Sequence, residues 1–237
     1  MKTFESLRRL LHASADVFFP RYCIVCGVRL ALDEQQLCAA CLHQLPMVHF
    51  PSLEENQITD RFVGLFPIIH ASSFFYYKKG SVVNKILFEL KYQDNPQVGY
   101  VMGRYLARLV KGRRFFDDID VILPVPLSRS RRWSRGYNQS EWIARGVASV
   151  TGLPIDVRSV VRVRNNPSQT RMDRLARMDN VQHLFAQTAA ASSLCGKHVL
   201  VIDDVFTTGA TILSLCETLS SLADIRFSIL TLACTKT

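Results

Sequence analysis

One stretch limits the fold of this chain more than any other: HVLVIDDVFTTGATILSLCETL, residues 198–219. An apolar run ends in two aspartates, a Thr/Gly loop follows, and an apolar helical run closes the unit. Such a strand–loop–helix unit belongs in an α/β domain with a mainly parallel sheet. Ligands of these sheets sit outside the carboxyl ends of the strands, where Asp203 and Asp204 leave the Val-Leu-Val-Ile run. No Gly-Lys-Ser/Thr follows and three spaced glycines are missing, so the turn is neither a Walker A loop nor a dinucleotide fingerprint. The residue types say what it suits instead. Carboxylates accept hydrogen bonds from the 2′- and 3′-hydroxyls of a ribose and attract hydrated magnesium. Thr207, Thr208 and Thr211 add hydroxyls, and Gly209 lets the backbone approach closely. The N–H groups of the loop, through Ala210, gather at a helix N-terminus, which favours a terminal phosphate. Sugar hydroxyls and a phosphate together describe a ribose 5-phosphate.

The alternation of strand and helix extends through the chain. Residues 70–77, 120–126, 156–163, 183–188 and 226–234 read as strands, and residues 81–93 as a helix. A second helix starts at Asn95 with Pro96 in its first position. A third is opened by Asn138 with Glu141 three residues on, a capping-box arrangement, and is ended by Gly152 and Pro154. At the N-terminus Phe4, Leu7, Leu10, Leu11, Val17 and Phe18 suit one face of a short helix. Residues 42–66 lack sustained periodicity and hold two prolines, which reads as a connector. The expected organisation is an N-terminal helix and cysteine module over 1–45, a connector over 46–66 and the main domain over 67–237. At 237 residues and 48% apolar composition the chain can bury a substantial core. Arg8, Arg9, His12 and Asp16 interrupt the one N-terminal apolar run, so neither a signal core nor a membrane span is expected, and the protein is expected to be cytoplasmic.

Four of the seven cysteines form a pattern: Cys23 and Cys26, eleven residues, then Cys38 and Cys41. Two Cys-x-x-Cys pairs at this spacing supply four thiolates for a tetrahedral zinc. Disulfides do not suit a cytoplasmic chain, and a redox pair does not need two copies. Four thiolates close the coordination sphere, so the expected zinc is structural.

The formal charge is +9, and eleven arginines against four acids place most of it within residues 121–180. A basic excess of this kind points to a polyanion, nucleic acid or a phosphorylated small molecule. Arg129, Arg131, Arg132 and Arg135 follow a strand in a loop expected to be kinked by Pro124 and Pro126. Guanidinium groups bind phosphate bidentately, so this loop suits a diphosphate and equally a DNA backbone. Trp133 and Tyr137 read as packing aromatics that anchor the loop, with base stacking on a single strand as the alternative. Arg171, Arg174 and Arg177 share a helical face that either closes over a bound phosphate or is solvated surface.

The stretch around Asp203 resembles the 5-phosphoribosyl 1-diphosphate (PRPP) motif of type I phosphoribosyltransferases: apolar strand, two acids, two residues, Thr-Thr-Gly-x-Thr. With the Pro-Val-Pro, Arg-Gly-Tyr-Asn-Gln and Gln-Thr…Arg…Asn…Phe segments and the cysteine pairs, nearly the whole chain resembles the ComF family, competence-associated phosphoribosyltransferase-like proteins. The resemblance implies a type I phosphoribosyltransferase fold with a zinc-binding N-terminus and a link to DNA uptake or use. By it, Asp203 and Asp204 contact the ribose and magnesium, and residues 207–211 the 5-phosphate. It also implies binding of PRPP or a nucleotide monophosphate and, if the chain turns over, pentosyl transfer within nucleotide metabolism. The alternative is a non-catalytic accessory protein that uses fold and zinc module to bind single-stranded DNA, with the DNA-uptake machinery as partner. Lys91 stands where the family has a lysine, but reads as a solvent-facing helix residue. A glutamine-dependent amidophosphoribosyltransferase is not expected, because that chemistry needs an N-terminal cysteine and the chain begins Met1-Lys2.

Overall fold

The computed structural model describes residues 19–163 and 184–236. The expected N-terminal helix and Arg171, Arg174 and Arg177 lie outside the described residues. Strands β5 (His198–Phe206) and β6 (Arg226–Thr235) form the middle of a four-stranded sheet, flanked by β1 (Ala71–Tyr77) and β2 (Val121–Pro124) in the order β1-β6-β5-β2. Every neighbouring pair is parallel. The central position follows from sequence, since residues 199–202 and 227–234 are buried on both faces and only a sheet covered on both sides accommodates them.

On one face lie three helices, α2 (Val82–Tyr92), α3 (Pro96–Lys111) and α5 (Gln139–Thr151), whose apolar stripes share a core with Leu200, Ile202, Leu230 and Leu232. Helices α3 and α5 cross at Gly103 and Gly146, where a methyl group would run into the carbonyls of Ile143 and Tyr100 respectively. The other face is covered by α6 (Ala210–Leu219), by a 3-10 turn at Ala189–Leu194 and by residues 48–62, around Val199, Val201, Phe227 and Ile229. The start of α5 is as expected, with Asn138 Oδ1 accepting from the Ser140 amide at 3.2 Å. Glu141 does not complete the capping box and instead binds Arg145 at 2.7 Å.

Three expectations change. Residues 129–135 form a short helix, α4 (Arg129–Arg135), rather than a kinked loop: Ser128 enters it in an extended conformation and left-handed Gly136 ends it. The strand-like segments 156–163 and 183–188 contribute β3 (Val160–Arg162) and β4 (Phe185–Gln187), an antiparallel ribbon apart from the main sheet. Val161 and Val163 remain 44% and 55% exposed, so this segment has only one buried side, which a ribbon satisfies and a doubly covered sheet does not. Residues 46–66 are also more than a tether. The Val48 amide donates to the Phe74 carbonyl and Tyr76 to the Pro46 carbonyl, each at 2.9 Å, which lays the segment along the outer edge of β1. Buried Asn56 then organises the non-periodic stretch by donating to the carbonyls of Ser52, Leu53 and Ala71. The opposite edge, β2, is bridged by residues 154–156: Ile122 donates to Pro154 and Asp156 to Ile122.

Candidate functional site

The carboxyl ends of the strands do not finish level. Strand β2 ends at Pro124, paired with Ile202, whereas β5 continues to Phe206. Asp203 and Asp204 therefore lie within β5, on the overhang beyond the end of β2, rather than in the following turn. Three helices then reach this overhang. From the start of α5, Ser140 Oγ donates to Asp203 Oδ1 at 3.0 Å. From the end of α2, Lys91 Nζ meets Asp204 Oδ2 at 2.8 Å, with the two side chains only 23% and 16% exposed. From α4, Arg131 and Arg135 line the same cavity, which has a volume of about 500 Å³.

Lys91 is thus an inward-facing partner of the acids and not the solvent-facing residue that its helix suggested. Burial disfavours its ammonium, but the carboxylates of Asp204 and then Asp203 outweigh that, and its pKa stands above the ordinary lysine value. Burial, reinforced by the charge of Asp204, pushes the Asp203 carboxyl up to about 7. The overhang holds two carboxyl groups whose total charge changes near neutrality, balanced by one lysine.

The threonine loop closes the cavity from the sheet side. Thr207 and Thr211 line it, Thr208 is exposed, and α6 begins at Ala210 with Gly209 as a cap that has no side chain, the Ala210 amide reaching Thr208 Oγ1 only at 3.5 Å. Gly209 is required there: its φ is +82°, and a methyl group would press on Phe206 and Phe62 at 3.1 and 3.3 Å.

The four arginines of α4 divide between two cavities. Arg131 and Arg135 face the aspartates, while Arg129 and Arg132 line a neighbouring cavity of about 660 Å³ against β3 and Glu141. Arg162 of β3 lines both, a position that nothing in its sequence neighbourhood signals. Burial, and then Arg131, hold its pKa below the usual arginine value. Tyr137 packs as expected, its hydroxyl donating to the Leu90 carbonyl at 2.6 Å, but Trp133 is 93% exposed and anchors nothing among the described residues.

The sulfur atoms of Cys23, Cys26, Cys38 and Cys41 all lie within 4.8 Å of one another, and three of the four residues are buried. The first pair sits on a hairpin in which Cys23 donates to Val28 and left-handed Gly27 donates back to Cys23. The second pair sits at the start of a short helix, α1 (Ala39–His43), where Cys41 donates its amide to Cys38 Sγ at 3.4 Å. Thiolates on a tetrahedral zinc with bonds of ~2.3 Å stand about 3.8 Å apart, and Cys26 Sγ and Cys38 Sγ are 3.7 Å apart. The donor set fits a tetrathiolate metal. No helix among the described residues is long and apolar enough to cross a membrane.

No protein-family model matches the chain. It is 25% identical to the DNA utilization protein YhgH of Salmonella typhimurium, over 84% of this chain and 91% of that protein. It is also 25% identical to competence protein F of Haemophilus influenzae, over 86% of this chain and 80% of that protein. Competence protein ComFC of Bacillus subtilis is 29% identical over 39% of this chain and 35% of that protein. Among solved structures, the allosteric regulatory enzyme of purine biosynthesis is similar over 60% of this chain and 29% of that one, with a TM-score of 0.39 and 19% identity. Adenine phosphoribosyltransferase from Thermoanaerobacter pseudethanolicus is similar over 60% of this chain and 83% of that one, with a TM-score of 0.35 and 18% identity. Taken with the parallel sheet, its flanking helices and the four-cysteine cluster, the sequence matches make this chain a homologue of the competence protein ComF and the DNA utilization protein YhgH.

Proposed function

We propose that the β5 overhang binds a ribose 5-phosphate unit, as PRPP or a nucleoside monophosphate. One observation carries the reading: Asp203, Asp204, Thr207, Thr211, Arg131 and Arg135 line one cavity at the carboxyl end of a parallel sheet. Asp203 and Asp204 accept from the ribose hydroxyls, the loop at 207–211 with the start of α6 takes the 5-phosphate, and Arg131 with Arg135 takes the diphosphate. Magnesium would accompany the diphosphate and neutralise part of its charge, and Lys91 keeps the acids from repelling it. If the chain is a transferase, the same cations stabilise diphosphate as it leaves an oxocarbenium-like centre. Zinc on Cys23, Cys26, Cys38 and Cys41 is structural in this reading. The relatives' names extend to this chain as a role in DNA uptake or use.

Calorimetry with PRPP and magnesium tests the site. The Asp203→Asn, Asp204→Asn variant is expected to lose binding while keeping its fold, and an unchanged affinity would overturn the reading. A second reading has its own observation: Trp133, 93% exposed, stands among the four arginines of α4, a surface suited to stacking and backbone contact with single-stranded DNA. Replacing Arg131 and Arg135 by Ala separates the two. A small-molecule site predicts weaker PRPP binding with ribose 5-phosphate little affected. A DNA surface predicts weaker oligonucleotide binding and a salt slope shallower by roughly 0.7 for each phosphate no longer neutralised.

A further inference from the structure

The face of α2 that looks into the 500 Å³ cavity is not the face an ordinary surface helix would offer. Helix α2 buries Val83, Ile86, Leu87 and Leu90 in the core. Its adjoining stripe, Asn84, Phe88, Lys91 and Tyr92, lines the cavity at the spacing of one helical face. Two aromatic rings on that stripe are left 49% and 62% exposed, their centroids 5.2 Å apart at 43°. Large apolar side chains exposed singly need no account, whereas adjacent ones at the mouth of a polar cavity mark a binding surface. Their surroundings narrow its ligand. The guanidinium of Arg135 lies 5.2 Å over the Tyr92 ring, which holds that ring in place. The Tyr77 hydroxyl donates to Asn84 Oδ1 at 3.1 Å, and the NH₂ group of the same amide is a donor. Two rings and an amide donor, beside Lys91 and the carboxylates, suit a flat polar ring that carries an acceptor edge.

We propose that Phe88, Tyr92 and Asn84 bind the base of a nucleoside 5′-monophosphate, with the rings stacking and the Asn84 amide donating to a carbonyl or ring nitrogen. This rests on the ribose 5-phosphate reading of the overhang and adds the class of group carried at C1′: a planar heteroaromatic ring and not an aliphatic amine. Stacking of one base on an aromatic side chain corresponds to roughly five- to hundredfold in affinity.

The test is calorimetry on the full chain with three probes: a nucleoside 5′-monophosphate, ribose 5-phosphate, and a single-stranded oligonucleotide without a 5′-phosphate. The monophosphate is expected to bind the native chain at least tenfold more tightly than ribose 5-phosphate. The Phe88→Leu, Tyr92→Leu variant keeps apolar volume on a half-exposed face, and is expected to reduce that advantage to less than threefold. Asn84→Asp, which turns a donor into an acceptor of nearly the same shape, is expected to weaken the monophosphate at least fivefold. Ribose 5-phosphate that binds, with a monophosphate no tighter or with its advantage intact in the leucine variant, overturns the proposal alone. Failure of both small ligands to bind the native chain overturns the ribose 5-phosphate reading and the proposal together. Oligonucleotide affinity that falls in the leucine variant as steeply as the monophosphate's assigns the rings to a strand and overturns it as well.

Discussion

The cysteine module and the β5 overhang are built on opposite plans. The four thiols come from 19 consecutive residues, two local turns place them, and a single ion would satisfy all four. The overhang is assembled from β5, α2, α4, α5 and β3, and its charges balance only because these elements pack on a common sheet. A site of the first kind depends on one bond set and fails at once when that set is broken. A site of the second kind depends on several modest interactions and changes by degrees.

The largest effect is expected at the module. Removing zinc with a strong chelator, or replacing Cys38 and Cys41 by Ser, should abolish a one-to-one metal content and unfold the module. Structural zinc in small modules contributes on the order of 10 kcal/mol at neutral pH. Elemental analysis and hydrogen exchange over residues 21–45 check this, and native protection without metal would show that the module needs no ion to fold. Since Cys23, Cys38 and Cys41 pack against the core beside α2 and α3, protection should also fall at those helices.

At the overhang a smaller effect is expected. Lys91→Met removes the cation facing Asp204, with apolar length retained, and should cost about 2 kcal/mol at pH 8, since the half-buried acids are left without their partner. Urea unfolding of the variant measures it. A change confined to ligand binding, with unfolding unaltered, would mean that the ion pair serves only the ligand.

The last effect concerns pH, and here the variant gains stability. The Asp203 carboxyl titrates near 7 in the folded chain, above the usual value of about 3.9 for the unfolded one. Between these values the native state holds a proton that the unfolded state has released, so stability falls as pH rises from about 4 to about 7 and is level on either side. Asp203→Asn removes that dependence. It should match the native chain near pH 4 and be the more stable of the two above pH 7. Identical curves for the two proteins would place the carboxyl's titration elsewhere.

The same contrast explains what the sequence disclosed. The cysteine quartet and the Asp-Asp…Thr-Thr-Gly-x-Thr run were legible because each is contiguous and its chemistry follows from spacing. Lys91, Ser140 and Arg162 were not, because each acquires its role from an element brought beside β5 by the sheet. Lys91 illustrates the difficulty: on an amphipathic helix a lysine at the apolar boundary reads as surface, and only the overhang of β5 past β2 turns it inward. Trp133 failed in the opposite sense. An aromatic within a basic run reads as an anchor, but α4 buries none of its residues, and the anchoring passes to Tyr137 just beyond its end. The helix itself was signalled by Gly136 after the arginines, and the two prolines before it obscured that signal.

Both outer edges of the parallel sheet are occupied by short stretches of the chain's own backbone, residues 46–48 along β1 and residues 154–156 along β2. At those stretches a partner of the parallel sheet meets no free backbone edge. Strand addition, which gives affinity through main-chain pairing with little regard to sequence, finds both edges already bonded. The arginine helix and the cysteine hairpin, by contrast, present side chains, and their chemistry varies with single substitutions. Substitutions there leave the backbone bonds that close the sheet's two edges undisturbed.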